Sequence, residues 1–158
     1  MTTMTQTDVQ VYQVFIRATP ERIWDAITKP EFTGRYFYGS LVDSTFEPGS
    51  PYKGWSPDRS MLFVDGVIEE ADPPRKLSHT WRALYDAETA AEEYSRVTWE
   101  IEPMEDGVSK VTVVHDRLDA SPKTAASVAG GWMYVLSGLK TLLETGEPLV
   151  QPKTEETA

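Results

Sequence analysis

The chain has 158 residues, with 25 acidic and 15 basic residues, a formal net charge of −10 at pH 7 and no cysteine. This length predicts one domain that is large enough to bury a core. The lack of cysteine excludes disulfides, thiolate catalysis and cysteine-ligated metal centres. The acidic balance disfavours a nucleic acid or an anionic membrane as partner, because phosphate binding needs a basic surface.

The expected organisation is a disordered N-terminus at 1–8, one domain at 9–146 and a flexible tail at 147–158. No run approaches the roughly 18 apolar residues of a membrane span. The first residues also lack the basic-then-apolar order of a signal peptide. We therefore expect a cytoplasmic protein without a membrane partner.

The first periodic segment, 9–17, alternates β-branched and aromatic residues with polar ones, which predicts a strand. Thr19-Pro20-Glu21 then supplies an N-cap hydroxyl, a proline for the first turn and an acidic residue. We predict a short helix there that ends near Lys29-Pro30. A second short helical or irregular segment follows and carries Tyr36, Phe37 and Tyr38 before Gly39.

The middle of the chain predicts about six strands. The clearest runs are 61–69, Lys76–Ala83, 94–102 and 108–117. Asp106-Gly107 between the last two is a strong hairpin signal. Ser121-Pro122 then opens a long amphipathic helix that stops at Gly146, and Gly130-Gly131 inside it indicate a kink or a close packing point.

This order of elements predicts an α+β fold: a curved antiparallel sheet wrapped around the long C-terminal helix, with one or two short helices after the first strand. The C-terminal helix is the only element able to cover the apolar face of the sheet. A curled sheet around a helix leaves a gap. Whether large side chains fill that gap or leave a ligand cavity decides the function.

Strand alternation predicts that both histidines face this gap. In 108–117, His115 shares the parity of Val111 and Val113, and in Lys76–Ala83, His79 shares that of Leu77 and Trp81. Each histidine is either a base or polar anchor for a ligand or a hydrogen-bonded core residue. No local spacing supports a metal site, so we expect none.

The predicted ligand-binding set combines aromatic walls with a few polar anchors, as small apolar ligands require. Core filling is an equally good interpretation for Trp99 and Trp132. We do not expect Tyr36-Phe37-Tyr38 beside Gly39 all to be buried, so we expect them to gate the cavity or meet a partner. The predicted ligand-binding residues are Trp24, Tyr36, Phe63, Asp65, His79, Trp81, Trp99, His115, Trp132 and Leu136.

Four stretches carry a family resemblance: ATPERIWDAIT at 18–28, GVIEEADPPRKLSHTW at 66–81, SRVTWEIEPMEDGVSKVTVVHDRL at 95–118 and GGWMYVLSGLKTLLETG at 130–146. Together they resemble the homologues of the activator of heat-shock protein 90 ATPase, within the SRPBCC or START-like superfamily. The resemblance covers nearly the whole chain. It implies a helix-grip fold with a cavity between sheet and helix.

The resemblance implies less about activity. Superfamily members include lipid and hormone carriers, polyketide cyclases, hydroxylase components and antibiotic-resistance proteins, and no invariant catalytic set carries over. The recurrent histidine of the family matches His115, and its helix tryptophan matches Trp132. The eukaryotic co-chaperone adds a separate N-terminal domain for which 158 residues leave no room, so we do not expect co-chaperone activity.

The leading functional hypothesis is a cofactor-free binding protein for a small apolar, aromatic, polyketide-like or lipid ligand. The first alternative is a polyketide cyclase or aromatase that uses the same cavity with His115 and His79 as acid/base groups. The second is a stress-response or chaperone-related interaction module that uses Tyr36 to Tyr38. Homodimerisation through that patch or a sheet edge stays open.

Overall fold

The computed structural model describes residues 9–150, so the predicted N-terminal segment 1–8 and most of the predicted tail lie outside the described residues. The strands are Gln10–Ile16 (β1), Leu41–Asp43 (β2), Pro51–Trp55 (β3), Leu62–Asp72 (β4), Lys76–Ala83 (β5), Ser95–Pro103 (β6) and Ser109–Asp116 (β7). The helices are Pro20–Thr28 (α1), Pro30–Thr33 (α2), Ala87–Ala90 (α3), Pro122–Val128 (α4) and Gly131–Thr145 (α5).

The seven strands form one curved antiparallel sheet in the order β1-β7-β6-β5-β4-β3-β2. The first strand therefore pairs with the last, and β2 lies at the opposite edge. The β6–β7 hairpin turns at Asp106 and Gly107, both in the left-handed region with φ of 62° and 76°. The predicted helix-grip architecture is confirmed.

Alternation along the strands builds the core. Val97, Trp99 and Ile101 on β6 are buried, whereas the residues between them are half-buried or exposed. Leu136 and Leu139 of α5 lie in the same buried cluster. Burying such side chains removes apolar surface from water at about 25 cal/mol per Å², which is the main source of stability for this arrangement.

The predicted long C-terminal helix is present, and it is divided into two helices at Ala129 and Gly130, next to the kink or close packing point predicted at Gly130-Gly131. Glycine is a poor helix former, and two adjacent glycines lower the cost of a break. The first helix, α4, has its own N-terminal partner: the Glu92 carboxylate accepts hydrogen bonds from the Lys123 and Thr124 amides at 2.9 and 2.8 Å. Burial by itself would raise the pKa of Glu92, but these hydrogen bonds outweigh it and lower that pKa below its usual value.

The outer edge of β1 is covered by α5. Lys140 Nζ donates to the backbone carbonyl of Phe15 at 2.8 Å, and the Glu144 carboxylate accepts from the Arg17 amide at 2.8 Å. Lys140 and Glu144 also pair with each other at 2.8 Å. A helix that covers a sheet edge and bonds to its backbone groups prevents another strand from pairing there, so this end of β1 is closed to strand addition.

Replacing Gly66 with alanine tests the close approach of β4 and β5. A Cβ at Gly66 would lie 2.0 Å from the backbone carbonyl oxygen of Thr80, so the strands must separate. We expect Gly66→Ala to lower the free energy of unfolding by about 3 kcal/mol, at the upper end of overpacking costs. Gly130→Ala is the matched control, because a Cβ there meets nothing within 4 Å. Urea unfolding measures both, and equal stabilities would contradict the close approach.

Candidate ligand pocket

A pocket of about 420 Å³ lies between the β2–β5 half of the sheet and the helical segment that includes α4 and the start of α5. Known small-molecule sites have volumes of roughly 300 to 1,000 Å³, so this pocket is large enough for a small ligand. Its walls are mainly aromatic and aliphatic. The lining residues are Phe37, Tyr38, Ser40, Val42, Tyr52, Gly54, Phe63, Val64, Trp81, Tyr85, Ser127, Val128, Gly131, Trp132 and Val135.

The lining residues carry no charge: among the described residues, none that lines this pocket is Asp, Glu, Lys, Arg or His. The side-chain polar groups are hydroxyls and indole N–H groups. An ionised ligand buried here would lose its hydration without gaining a countercharge, which is costly. The pocket therefore suits an uncharged, predominantly apolar molecule.

Three aromatic rings form the inner wall. Phe37 stacks on Trp81 with ring centroids 6.2 Å apart and meets Trp132 edge-on at 5.6 Å. Trp81 and Trp132 are themselves 5.9 Å apart. Aromatic pairs of this kind contribute about 0.5–1.5 kcal/mol each beyond area burial, so the inner wall is well ordered. At the rim, Tyr38 and Tyr85 are 60% and 50% exposed.

His115 joins the helix to the sheet through a chain of hydrogen bonds. Trp132 Nε1 donates to His115 Nδ1 at 3.0 Å, and His115 Nε2 lies 2.7 Å from Ser95 Oγ. Because an indole nitrogen can only donate, Nδ1 is the acceptor and Nε2 carries the proton. Ser95 Oγ in turn donates to the carbonyl of Trp81 at 3.2 Å. The tautomer of His115 is thereby fixed.

This geometry favours the interpretation of His115 as a hydrogen-bonded core residue. Both ring nitrogens have partners, the side chain is fully buried, and the residue does not line the pocket. Desolvation, and then the proximity of His79, lower the pKa of His115 to about 3. The imidazole is a neutral structural link, and it offers no free lone pair for acid/base chemistry on a molecule in the pocket.

His79 is equally buried but less completely bonded. Its Nδ1 donates to the carbonyl of Thr80 at 2.9 Å, so Nε2 is the unprotonated nitrogen of the neutral ring. The ring stacks on Tyr52 at a centroid distance of 3.7 Å. Desolvation lowers the pKa of His79 to about 4 despite the bond to Thr80. Nε2 has no hydrogen-bonding partner among the described residues.

Of the residues predicted from sequence to bind a ligand, Phe63, Trp81 and Trp132 line the pocket. His79 and His115 lie behind its wall. Trp99 and Leu136 are core residues, and Trp24 is a half-buried residue packed against that core.

Asp65 and Tyr36 are placed differently from the prediction. Asp65 pairs with Arg82 at 3.3 Å and accepts from Tyr94 Oη at 3.1 Å, on a partly exposed face and outside the pocket lining. Tyr36 is buried, and its hydroxyl donates to the carbonyl of Ala26 at 2.8 Å. Neither residue reaches the pocket, because each polar group already has protein partners elsewhere.

Several lining residues were missed by sequence reasoning, above all Val42, Tyr52 and Gly54 on the short strands β2 and β3. The sequence did contain a signal for them, because Tyr52 and Gly54 are two residues apart, and so on the same face of a strand, between the turns at Pro48-Gly49 and Ser56-Pro57. The strands are too short for alternation to stand out. Phe37 and Tyr38, predicted to gate a cavity or meet a partner, do line the pocket.

Within residues 9–150, no group of three or more His, Asp or Glu side chains is arranged to hold a metal ion. In the same part of the chain, no helix is both long and apolar enough to cross a bilayer.

Comparison with known proteins gives a family match. The family described as "Activator of Hsp90 ATPase homolog 1-like protein" matches residues 17–144. A search of curated proteins finds no significant match.

Solved structures match the fold at low sequence identity. An HSP90 activator from Plasmodium falciparum is 20% identical, with a TM-score of 0.69 over 89% of this chain and 97% of its own. The Aha1 dimer from Colwellia psychrerythraea is 17% identical, with a TM-score of 0.68 over 87% and 97%. DynU16, from the dynemicin biosynthetic locus, is 19% identical, with a TM-score of 0.71 over 89% of this chain and 49% of DynU16, so this chain spans about half its length.

The buried neutral histidines predict a dependence of stability on pH. Both pKa values are lowered in the fold, to about 4 for His79 and about 3 for His115, against about 6.5 in the unfolded chain. As pH falls below about 6.5, the unfolded chain binds protons that the fold does not. The free energy of unfolding therefore decreases, by about 2 kcal/mol per histidine between pH 7 and 5.

Urea unfolding at several pH values measures this effect. Most carboxylates titrate below this window, so its slope reports mainly the histidines. His79→Phe, which keeps a ring to stack on Tyr52, should roughly halve the slope. A stability that does not change between pH 7 and 5 would contradict the buried neutral state.

Proposed function

The chain belongs to the activator of Hsp90 ATPase homolog 1-like family, and from that premise we propose that it binds a small, uncharged, predominantly apolar molecule in the pocket between sheet and helix. The observation that carries the proposal is the pocket itself: about 420 Å³, aromatic walls and no charged lining residue. Apolar walls with a few polar groups are the usual design of small-molecule sites.

The shape of the walls favours an aromatic ligand. Phe37, Trp81 and Trp132 present ring faces and edges at centroid separations near 6 Å, an arrangement that accepts a further ring by stacking or edge contact. The occurrence of the neighbour DynU16 in a biosynthetic locus supports a natural-product-like ligand. An aromatic or polyketide-like molecule is thus the class that we propose.

Binding is better supported than catalysis. A cyclase of the type first considered needs an acid/base group within hydrogen-bonding reach of its substrate. His115 has both nitrogens engaged, and neither histidine lines the pocket. Burial raises the pKa of Tyr52 well above its usual value, so this lining hydroxyl stays protonated at neutral pH. The proposal therefore assigns no reaction.

The surface beside the pocket supports a second proposal, self-association. Tyr38 and Tyr134 stack at 5.2 Å on the surface, and Met133 beside them is 58% exposed. The fold neighbour from Colwellia psychrerythraea is described as a dimer. We propose a second copy of this chain as the partner of this cluster of Tyr38, Met133 and Tyr134.

Two naphthalene probes test the binding proposal. N-phenyl-1-naphthylamine is uncharged, whereas 8-anilino-1-naphthalenesulfonate has a similar ring system with an added sulfonate. We expect the uncharged probe to bind at least about tenfold more tightly, because the pocket has no countercharge for the sulfonate. Probe emission measures the affinities, and a pocket-filling variant reports the site. Equal affinities, or no binding of the uncharged probe, would contradict the proposal.

Filling the pocket provides a second arm of that experiment. Val128 lines the pocket and is nearly buried, so Val128→Phe places extra volume there. We expect it to weaken binding of the uncharged probe about tenfold. Val67→Phe is the matched control, because Val67 is 45% exposed and outside the pocket. Native mass spectrometry of the purified protein then shows whether a molecule is retained from the cell.

Sedimentation equilibrium at physiological salt tests self-association. We expect a concentration-dependent dimer, and Met133→Glu should shift it to monomer by placing a charge in the apolar cluster. Val67→Glu makes the same change at an exposed apolar residue elsewhere and should leave the dimer intact. A monomer at every concentration, or a dimer that Met133→Glu leaves unchanged, would contradict this proposal.

A further inference from the structure

We infer that the ligand of this pocket carries an uncharged oxygen, such as a ketone carbonyl, that accepts hydrogen bonds from the hydroxyls of Ser40 and Tyr52. The inference rests on the proposed binding function and narrows it to oxygenated aromatic molecules. It follows from two hydroxyl groups that line the pocket and have no hydrogen-bonding partner among the described residues.

These two residues are exceptions among the buried hydroxyl groups of the chain. The side chains of Ser40 and Tyr52 are 8% and 3% exposed. Every other buried serine, threonine or tyrosine in residues 9–150 makes a side-chain hydrogen bond within the protein. Folded proteins pair their buried polar groups, so two unpaired hydroxyls in one pocket indicate a partner that the chain does not supply.

Both hydroxyl oxygens are within reach of a molecule in the pocket. In the described part of the chain, the unpaired side-chain atoms that are closed off from all solvent are His79 Nε2 and Trp81 Nε1. The unpaired oxygens of Ser40 and Tyr52 are not among them, so each keeps some accessible surface. Because both side chains are otherwise buried and line the pocket, that surface faces the pocket.

The protein holds both hydroxyls in place. The carbonyl of Ser40 accepts from Thr33 Oγ1 at 2.8 Å, and its amide donates to the carbonyl of Phe37 at 2.9 Å. The ring of Tyr52 stacks on His79 at a centroid distance of 3.7 Å. Fixing a polar group before binding reduces the entropy that binding costs, so these hydroxyls are prepared for a partner.

Glycine at position 54 leaves the Ser40 hydroxyl open. Gly54 lines the pocket on β3 and lies opposite Val42 of β2. A Cβ at this position would lie 2.7 Å from Ser40 Oγ, so any other residue would crowd that oxygen. The φ of Gly54 is not positive, so its backbone does not require glycine. Glycine weakens a strand interior, and here it keeps space over a hydroxyl.

The chemistry of the two groups favours an uncharged acceptor. Burial raises the pKa of Tyr52 above its usual value, so its hydroxyl keeps a proton to donate. An anionic acceptor is disfavoured because no residue that lines the pocket carries a countercharge. A carbonyl oxygen is uncharged and has two lone pairs, so a single oxygen can accept from two donors.

Two naphthalenes that differ in a single group test the inference. 2-Acetylnaphthalene has a ketone oxygen, whereas 2-isopropenylnaphthalene has a CH₂ group in its place; both are uncharged and similar in shape. Their affinities are measured by displacement of N-phenyl-1-naphthylamine. The informative quantity is the ratio of the ketone affinity to the alkene affinity, compared between variants, because ring stacking and the hydration of the free ligands cancel in that comparison.

Two pocket variants each remove one hydroxyl. Tyr52→Phe keeps the ring that stacks on His79, and we expect it to lower the ratio about tenfold, which is the effect of one lost hydrogen bond. Ser40→Ala should lower the ratio in the same direction. Tyr94→Phe is the matched control, because it makes the same change at a hydroxyl that donates to Asp65 outside the pocket, and the ratio should not change.

Urea unfolding of the ligand-free variants is an independent measurement. Neither hydroxyl has a partner among the described residues, so Tyr52→Phe and Ser40→Ala should not lower the free energy of unfolding. A loss of stability in either variant would mean that its hydroxyl is paired within the protein, which would overturn the inference.

The outcomes of the binding experiment separate this inference from the proposed function. An unchanged ratio in either pocket variant would overturn the inference and leave apolar binding intact. An equal decrease in Tyr94→Phe would also overturn it, because the effect would not belong to the pocket. Failure of the ketone, the alkene and N-phenyl-1-naphthylamine to bind would overturn the proposed function itself.

Discussion

The hydrogen-bond chain from Trp132 through His115 and Ser95 to the backbone of Trp81 is the constraint on which the rest of the structure depends. It connects α5 to three adjacent strands, β7, β6 and β5, through atoms that are all buried. Each link fixes the next, because the donor-only indole sets the tautomer of the imidazole, which then donates to the serine. Buried polar chains of this kind specify a single arrangement, since a partly broken chain leaves unpaired groups in an apolar interior.

The pocket is a consequence of that attachment. α5 is attached to β1 through Lys140 and to β7 through Trp132, and the pocket lies between the start of α5 and the β2–β5 half of the sheet. Tyr52, Phe63 and Val64 on those strands face the space that results. The aromatic rings at the attachment point, Trp81 and Trp132, then serve twice: they close the core on one side and form the pocket wall on the other. A change at either residue should alter stability and binding together.

Much of this could be predicted from the sequence, because alternation and helical spacing follow from which faces are buried. The curved sheet, the hairpin at Asp106-Gly107 and the family resemblance are all confirmed. The pocket lining could be predicted less well. Phe63 and Asp65 share one strand parity, yet only Phe63 lines the pocket, close to where the β3–β4 register shifts, while Asp65 is held by Arg82. Nor could spacing reveal that the Trp132 indole bonds to His115, whereas the Trp81 indole and His79 Nε2 have no partner among the described residues. That difference depends on ring orientations, which tertiary packing sets.

The cover over the edge of β1 has a consequence for the behaviour of the chain in concentrated solution. β1 exposes Val11 and Phe15 on its outer face, a composition that readily nucleates ordered fibrils when its backbone is also free. Lys140 binds the carbonyl of Phe15 in β1, and Glu144 binds the amide of Arg17 just beyond the strand, so this end of the edge is not free to template fibril growth. Two charged residues on a helix selected for packing thus also protect the fold against misassembly.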